Sequence, residues 1–143
     1  MAQAPGDREP DAQGAPVRRF TDPAYRPLAP DLAGLRREID RIDAAVVQLL
    51  AERAMYVKDA ARFKRDAFQV SAPARQAEVY ARVRTLAEQA NPPVNGGFDG
   101  LADVVEAAYR ALVAGYIACE QRYFGQTEPL AGPAEPSTSK EAE

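Results

Sequence analysis

The residues with the clearest chemical potential are cations standing where an apolar pattern calls for something else. Leu32, Leu35, Ile39, Ile42, Val46 and Leu49, then Tyr56, Ala60 and Phe63, step by three and four residues within each run, the period of one helix face. Continuing that step from Leu49 lands on Arg53, a permanently charged side chain. A guanidinium buried without a partner costs several kcal/mol, so its place on an inward face calls for an internal carboxylate or an anionic ligand. Lys64 lies eleven residues further on. On a continuous helix it would sit within about 20° of Arg53 and roughly 16 Å along the axis. One side of the element would then carry a planar fork matched to a carboxylate and, beyond it, a movable point charge. Taken singly, either residue reads more simply as a solvated or weakly paired surface cation. The surrounding motif is what favours a site.

Composition removes several alternatives. There is no histidine in the 143 residues, so a Ser-His-Asp triad, a Cys-His pair and histidine metal sites are impossible. One cysteine, Cys119, cannot close an internal disulfide, and with no histidine beside it no bound transition metal is expected. A formal net charge of −3 leaves no global basic field for a nucleic-acid backbone. At 46% hydrophobic and 27% charged residues, with no stretch near membrane-spanning length, the chain reads as a globular protein expected in the cytoplasm. Its amino end, with early acids and prolines, is not expected to serve as a secretory signal.

The elements that must position these cations all show helical period, and no run alternates in the manner of a strand. The first helix is expected to open at Pro30-Asp31, with Asp31 accepting from the first-turn amides, and to run to about Phe63. FKRDAFQVSAP, from Phe63 to Pro73, ends it and starts a second helix to about Ala90, which Asn91-Pro92-Pro93 stops. Asp99 is the expected cap of a third helix, ending at Gly125 in a left-handed conformation. The fold class is therefore all-α, a three-helix chain of long, short and long helices over residues 31–125. Residues 1–30 and 126–143, rich in Pro, Ala and Gly, are expected to be disordered tails, with Val17 to Phe20 and Tyr25 as candidates to pack on the body. About thirty-five helical residues span roughly 50 Å, whereas a body of about ninety-five residues is only about 30 to 35 Å across. The first helix should overhang its own domain, and its apolar stripe continues across the overhang. A second copy of the chain would bury it in an intertwined homodimer; a kink near Arg53 is the alternative.

The stretch LRREIDRIDAAVVQLLAERAMYVKDAARFK, Leu35 to Lys64, resembles the first helix of the all-helical chorismate mutase family, including its isochorismate pyruvate-lyase branch. APARQAEV (Ala72 to Val79) and YRALVAGYIACEQRYF (Tyr109 to Phe124) resemble the family's second and third helices in order and spacing. The resemblance implies a domain-swapped dimer with two equivalent sites, in which cations grip both carboxylates and the ether oxygen of chorismate or isochorismate. It implies that Arg36 comes from the partner's first helix, Arg53 from the same chain's long helix, and Lys64 from the start of a mobile loop. Arg75 would border the site, and Tyr56, Val57 and Tyr116 would contact substrate. Arg36 and Arg53 are seventeen residues apart, about 25 Å of helix, so one small ligand can meet both only across two chains. Gln76 stands where many mutases carry Glu, and Glu120 where many carry Gln; a slide of one residue would put Gln121 there instead.

The implied reaction, chorismate to prephenate, is intramolecular and needs no cofactor or metal; the lyase reaction, giving salicylate, is the alternative. A non-catalytic helical dimer on the same scaffold belongs to a different class, and a nucleic-acid module lacks the basic face. A carboxylate cannot donate a hydrogen bond to an ether oxygen, so Glu120 could do so only in its protonated form. Activity is therefore expected to fall as pH rises, and Glu120→Gln to flatten that dependence. Unchanged pH–rate profiles between the two proteins would rule out this role.

Overall fold

The computed structural model describes residues 8–131. Among them are three long helices, one short helix, two 3₁₀ turns and no strand. Helix α1 (Leu32–Ala60) opens as its first turn dictates: Asp31 is extended, and its carboxylate accepts from the Gly34 amide at 2.8 Å. That satisfies one of the amides a helix start leaves without an internal partner. The Ala33 amide is met from outside the helix by the Ala12 carbonyl at 2.8 Å. The helix runs unbroken through Arg53, so the chain does not fold back there.

Beyond Ala60 the chain tightens into a 3₁₀ turn (Ala61–Phe63), and Lys64 is already extended. A separate short helix follows, α2 (Ala67–Ser71), capped by Asp66, whose carboxylate accepts from the Gln69 amide. The sequence expectation of a plain connection is corrected here. Five residues are too few to display a period, and only the Asp66 cap signals the helix. Ala72, left-handed at φ 44°, turns the chain sharply into α3 (Pro73–Ala90), with Pro73 at the first position, where its missing amide costs nothing. A non-glycine residue in that region carries about 1 to 2 kcal/mol of strain. The gain is that α2 and α3 face the same space.

α3 and α4 (Leu101–Phe124) form the principal helix pair. Their connection is clamped by Asn91, whose side chain donates to the Phe98 carbonyl and accepts from its amide, both at 2.9 Å. Two end assignments differ from expectation. Gly100, left-handed at φ 79°, occupies the cap position of α4, and neither it nor Asp99 gives a side-chain cap. Gly125 keeps right-handed helical angles, because the last turn continues through bonds from the Gln126 and Thr127 amides to Tyr123 and Phe124.

Among the described residues the buried apolar ones are few, Ala61, Val70, Tyr80, Val83, Ala87 and Val113, and none lies in α1. Leu35, Ile39, Ile42, Val46 and Leu49, the stripe read from the sequence, are all exposed, Leu49 at 64%. At about 1.5 Å per residue, the 29 residues of α1 span roughly 43 Å, and the apolar residues of its amino half are left uncovered. Ahead of α1, residues 8–31 form no helix. The Asn95 side chain accepts from the Arg26 amide at 2.7 Å and donates to its carbonyl at 3.0 Å, tying this segment to the α3–α4 connection. Phe20 stacks on Tyr25 at 4.2 Å, yet Phe20 and Val17 stay exposed. The hydrogen bonds that attach this segment to the body run through the backbone of Ala12 and Arg26. The outer parts of both expected tails, 1–7 and 132–143, lie outside the described residues.

Candidate active site

A cavity of about 330 Å³ opens where the carboxyl half of α1 meets the other helices. α1 contributes Arg53, Tyr56, Val57 and Ala60, one to two turns apart on a single face. Lys64 enters from the extended residue after the 3₁₀ turn, so its place beside Arg53 comes from the chain leaving the helix, unlike the continuous helix assumed from spacing. Val70, Ser71 and Ala72 form one wall, Arg75, Gln76 and Val79 of α3 the next, and Val113, Tyr116, Ile117 and Glu120 of α4 the last.

Polar groups in this cavity are engaged in ways that decide what each can offer. The Arg53 guanidinium meets no carboxylate among the described residues. It lies instead against two aromatic faces, 5.1 Å from the Tyr116 ring centroid and 5.8 Å from that of Tyr109. Lys64 Nζ donates to the Gln69 carbonyl at 3.2 Å and stands 3.5 Å from Glu120 Oε2. Glu120 is only 5% exposed, and that Oε2 atom has no hydrogen-bond partner. A buried carboxylate oxygen without a donor is costly, so the Lys64 charge is what makes its position tolerable.

Gln76 donates from Nε2 to the Ser71 carbonyl at 2.6 Å and accepts from the Tyr80 hydroxyl at 3.3 Å, which leaves one amide hydrogen for a ligand. Tyr116 donates its hydroxyl to the Leu50 carbonyl at 2.6 Å, so it presents its ring to the cavity while fastening α4 to α1. Arg75 lines the rim and is drawn outward by a surface pair with Glu78 at 2.6 Å. Glu120, and not Gln121, lines the cavity; the Gln121 amide donates to the Ala67 carbonyl instead. Arg36 is exposed near the start of α1 and is absent from the lining.

Eight residues singled out from the sequence thus share one cavity: Arg53, Tyr56, Val57, Lys64, Arg75, Gln76, Tyr116 and Glu120. Residues 35–121 match the family described as chorismate mutase type II. The chain belongs to the chorismate mutase type II family. Within it, the chain is 38% identical over 100 residues to a protein of Pseudomonas aeruginosa named isochorismate pyruvate lyase, covering 70% of this chain and 91% of that one. It is 29% identical over 98 residues to a chorismate mutase of Methanocaldococcus jannaschii, covering 68% and 91% respectively. Sequence reasoning did not single out as site residues Ala60, Val70, Ser71, Ala72, Val79, Val113 and Ile117 of the lining, nor Tyr109 behind Arg53. Val113 and Ile117 share the face of Tyr116 and Glu120 and could have been found by helical spacing; Val70 to Ala72 lie where no period exists.

Removing the Lys64 charge should leave Glu120 buried beside nothing positive. Lys64→Ala is expected to destabilise the protein by about 2 kcal/mol, less than the roughly 3 to 5 kcal/mol of breaking a fully buried pair because Lys64 is partly solvated. The double variant with Glu120→Gln should recover part of that loss in urea denaturation; equal stability of the single variant and wild type would contradict the pairing.

Proposed function

We propose that the chain is a chorismate mutase that rearranges chorismate to prephenate in this cavity, working as an intertwined homodimer. The reaction is pericyclic and intramolecular, so an enzyme helps by holding the compact conformer and stabilising charge on the breaking ether. No nucleophile or general base is required, and a chain without histidine is under no handicap. The observation that carries the reading is Arg53, a guanidinium lining an open cavity without a counter-ion among the described residues. It is assigned one substrate carboxylate, held through two parallel hydrogen bonds. Lys64, whose ammonium has donors left beyond Gln69, is assigned the ether oxygen, and Gln76 the ring hydroxyl.

The second carboxylate is assigned to Arg36 of a second subunit. The exposed stripe of Leu35, Ile39, Ile42, Val46 and Leu49 supports that assembly, since a second copy would bury it and carry its own Arg36 to the neighbouring cavity. A reduced cytoplasmic setting, with Cys119 as a thiol, goes with this reading. No helix among the described residues is long and apolar enough to cross a membrane.

A second reading, elimination of pyruvate from isochorismate to give salicylate, is favoured by the relative named for that reaction. It uses the same cationic groups on an isomeric dicarboxylate. Incubating the protein with each substrate and measuring prephenate and salicylate separates the two, with prephenate expected. Arg53→Ala should lower turnover by at least about 100-fold, the loss typical of removing one transition-state donor. A bicyclic dicarboxylate mimic of the transition state should also raise the melting temperature of wild type. Absence of both products and of any thermal shift would leave a non-catalytic scaffold.

A further inference from the structure

Among the described residues no acid orients Arg53, and we propose that Tyr109, outside the cavity lining, is a positioning residue that aims the Arg53 guanidinium. The inference rests on the reading of Arg53 as the carboxylate-binding group. Tyr109 and Tyr116 are seven residues apart on α4, so their side chains leave the same face about 10.5 Å apart along the axis. The guanidinium carbon reaches both rings, at 5.8 and 5.1 Å, and so takes the space between two successive aromatic faces of one helix. Tyr116 is fixed to α1 through its hydroxyl on Leu50, three residues before Arg53. Tyr109 is half-buried and does not line the cavity. What it presents to Arg53 is its ring.

This arrangement differs in consequence from the usual way of holding an arginine. A carboxylate would fix the side chain but would neutralise it and compete for the same in-plane donors that a substrate needs. An aromatic face attracts the cation through its quadrupole and leaves the N–H fork free. Glu120, the buried acid of the cavity, is engaged with Lys64, and Glu106, the acid three residues before Tyr109, pairs with Arg84 and Arg110. The charge of Arg53 is thereby kept whole while its rotamer freedom is reduced.

The test replaces Tyr109 by phenylalanine and then by phenylalanines carrying one, two and three ring fluorines, which weaken cation attraction while closely preserving ring shape. Tyr109→Phe should keep wild-type kcat/KM on whichever substrate the protein converts. Across the fluorinated series kcat/KM should fall stepwise, by roughly three- to thirty-fold in all, while the melting temperature stays level. Arg53→Ala runs beside it. If that variant is inactive and the fluorinated series is flat, Tyr109 does not position Arg53 and this inference alone is overturned. If Arg53→Ala keeps its turnover, the reading of Arg53 falls, and the inference falls with it.

Discussion

A half-buried guanidinium with no acid beside it among the described residues is the constraint around which the rest of this structure is arranged. Arg53 can stand on the inner face of α1 because two tyrosine faces of α4 receive it, and because the cavity in front of it is open to an anion. The second cation is handled the opposite way. Lys64 is held by a carbonyl and by a buried carboxylate, so its charge is largely balanced within the chain. Among the described residues one cation of the cavity is thus left without a counter-ion, and the other is paired. A dicarboxylate is a fitting guest for such a site, because it brings the charge that the protein withholds from Arg53.

The second constraint is area. The buried apolar residues cluster where α2, α3, α4 and the end of α1 meet, while the amino half of α1 holds an apolar stripe in water. Burial of apolar surface is worth about 25 cal/mol per Å², so a stripe of five aliphatic residues left exposed is a large loss for a chain with so small a core. Arg36 lies on that same half of α1, remote from the cavity of its own chain. The surface that wants covering and the cation that wants a substrate lie on the same overhanging half-helix, and a second copy would answer both.

Much of this was legible in the sequence, for reasons that differ from residue to residue. The stripe from Leu32 to Ala60 repeats over enough turns for its period to declare a helix, and Asp31 marks its start by cap chemistry alone. Arg53 was conspicuous because it broke that stripe. Lys64 was found for a partly wrong reason: it reaches the cavity from an extended residue beyond the helix. α2 and the left-handed Ala72 escaped notice, since five residues show no period and nothing in an alanine announces positive φ. Tyr109 escaped too, because an aromatic residue at helical spacing reads as core. Gly100, and not Asp99, starts α4, where backbone conformation rather than a side-chain oxygen sets the entry.

The central claim is that an unopposed Arg53 in one subunit and an Arg36 from the other complete a single site. Mixing subunits tests it most directly: Arg36→Ala and Arg53→Ala proteins, each inactive alone, are unfolded together, refolded and assayed. Random pairing should give mixed dimers with one intact site of two, so about a quarter of wild-type activity is predicted. Mixed dimers that form, yet show no more activity than either variant by itself, would contradict the account.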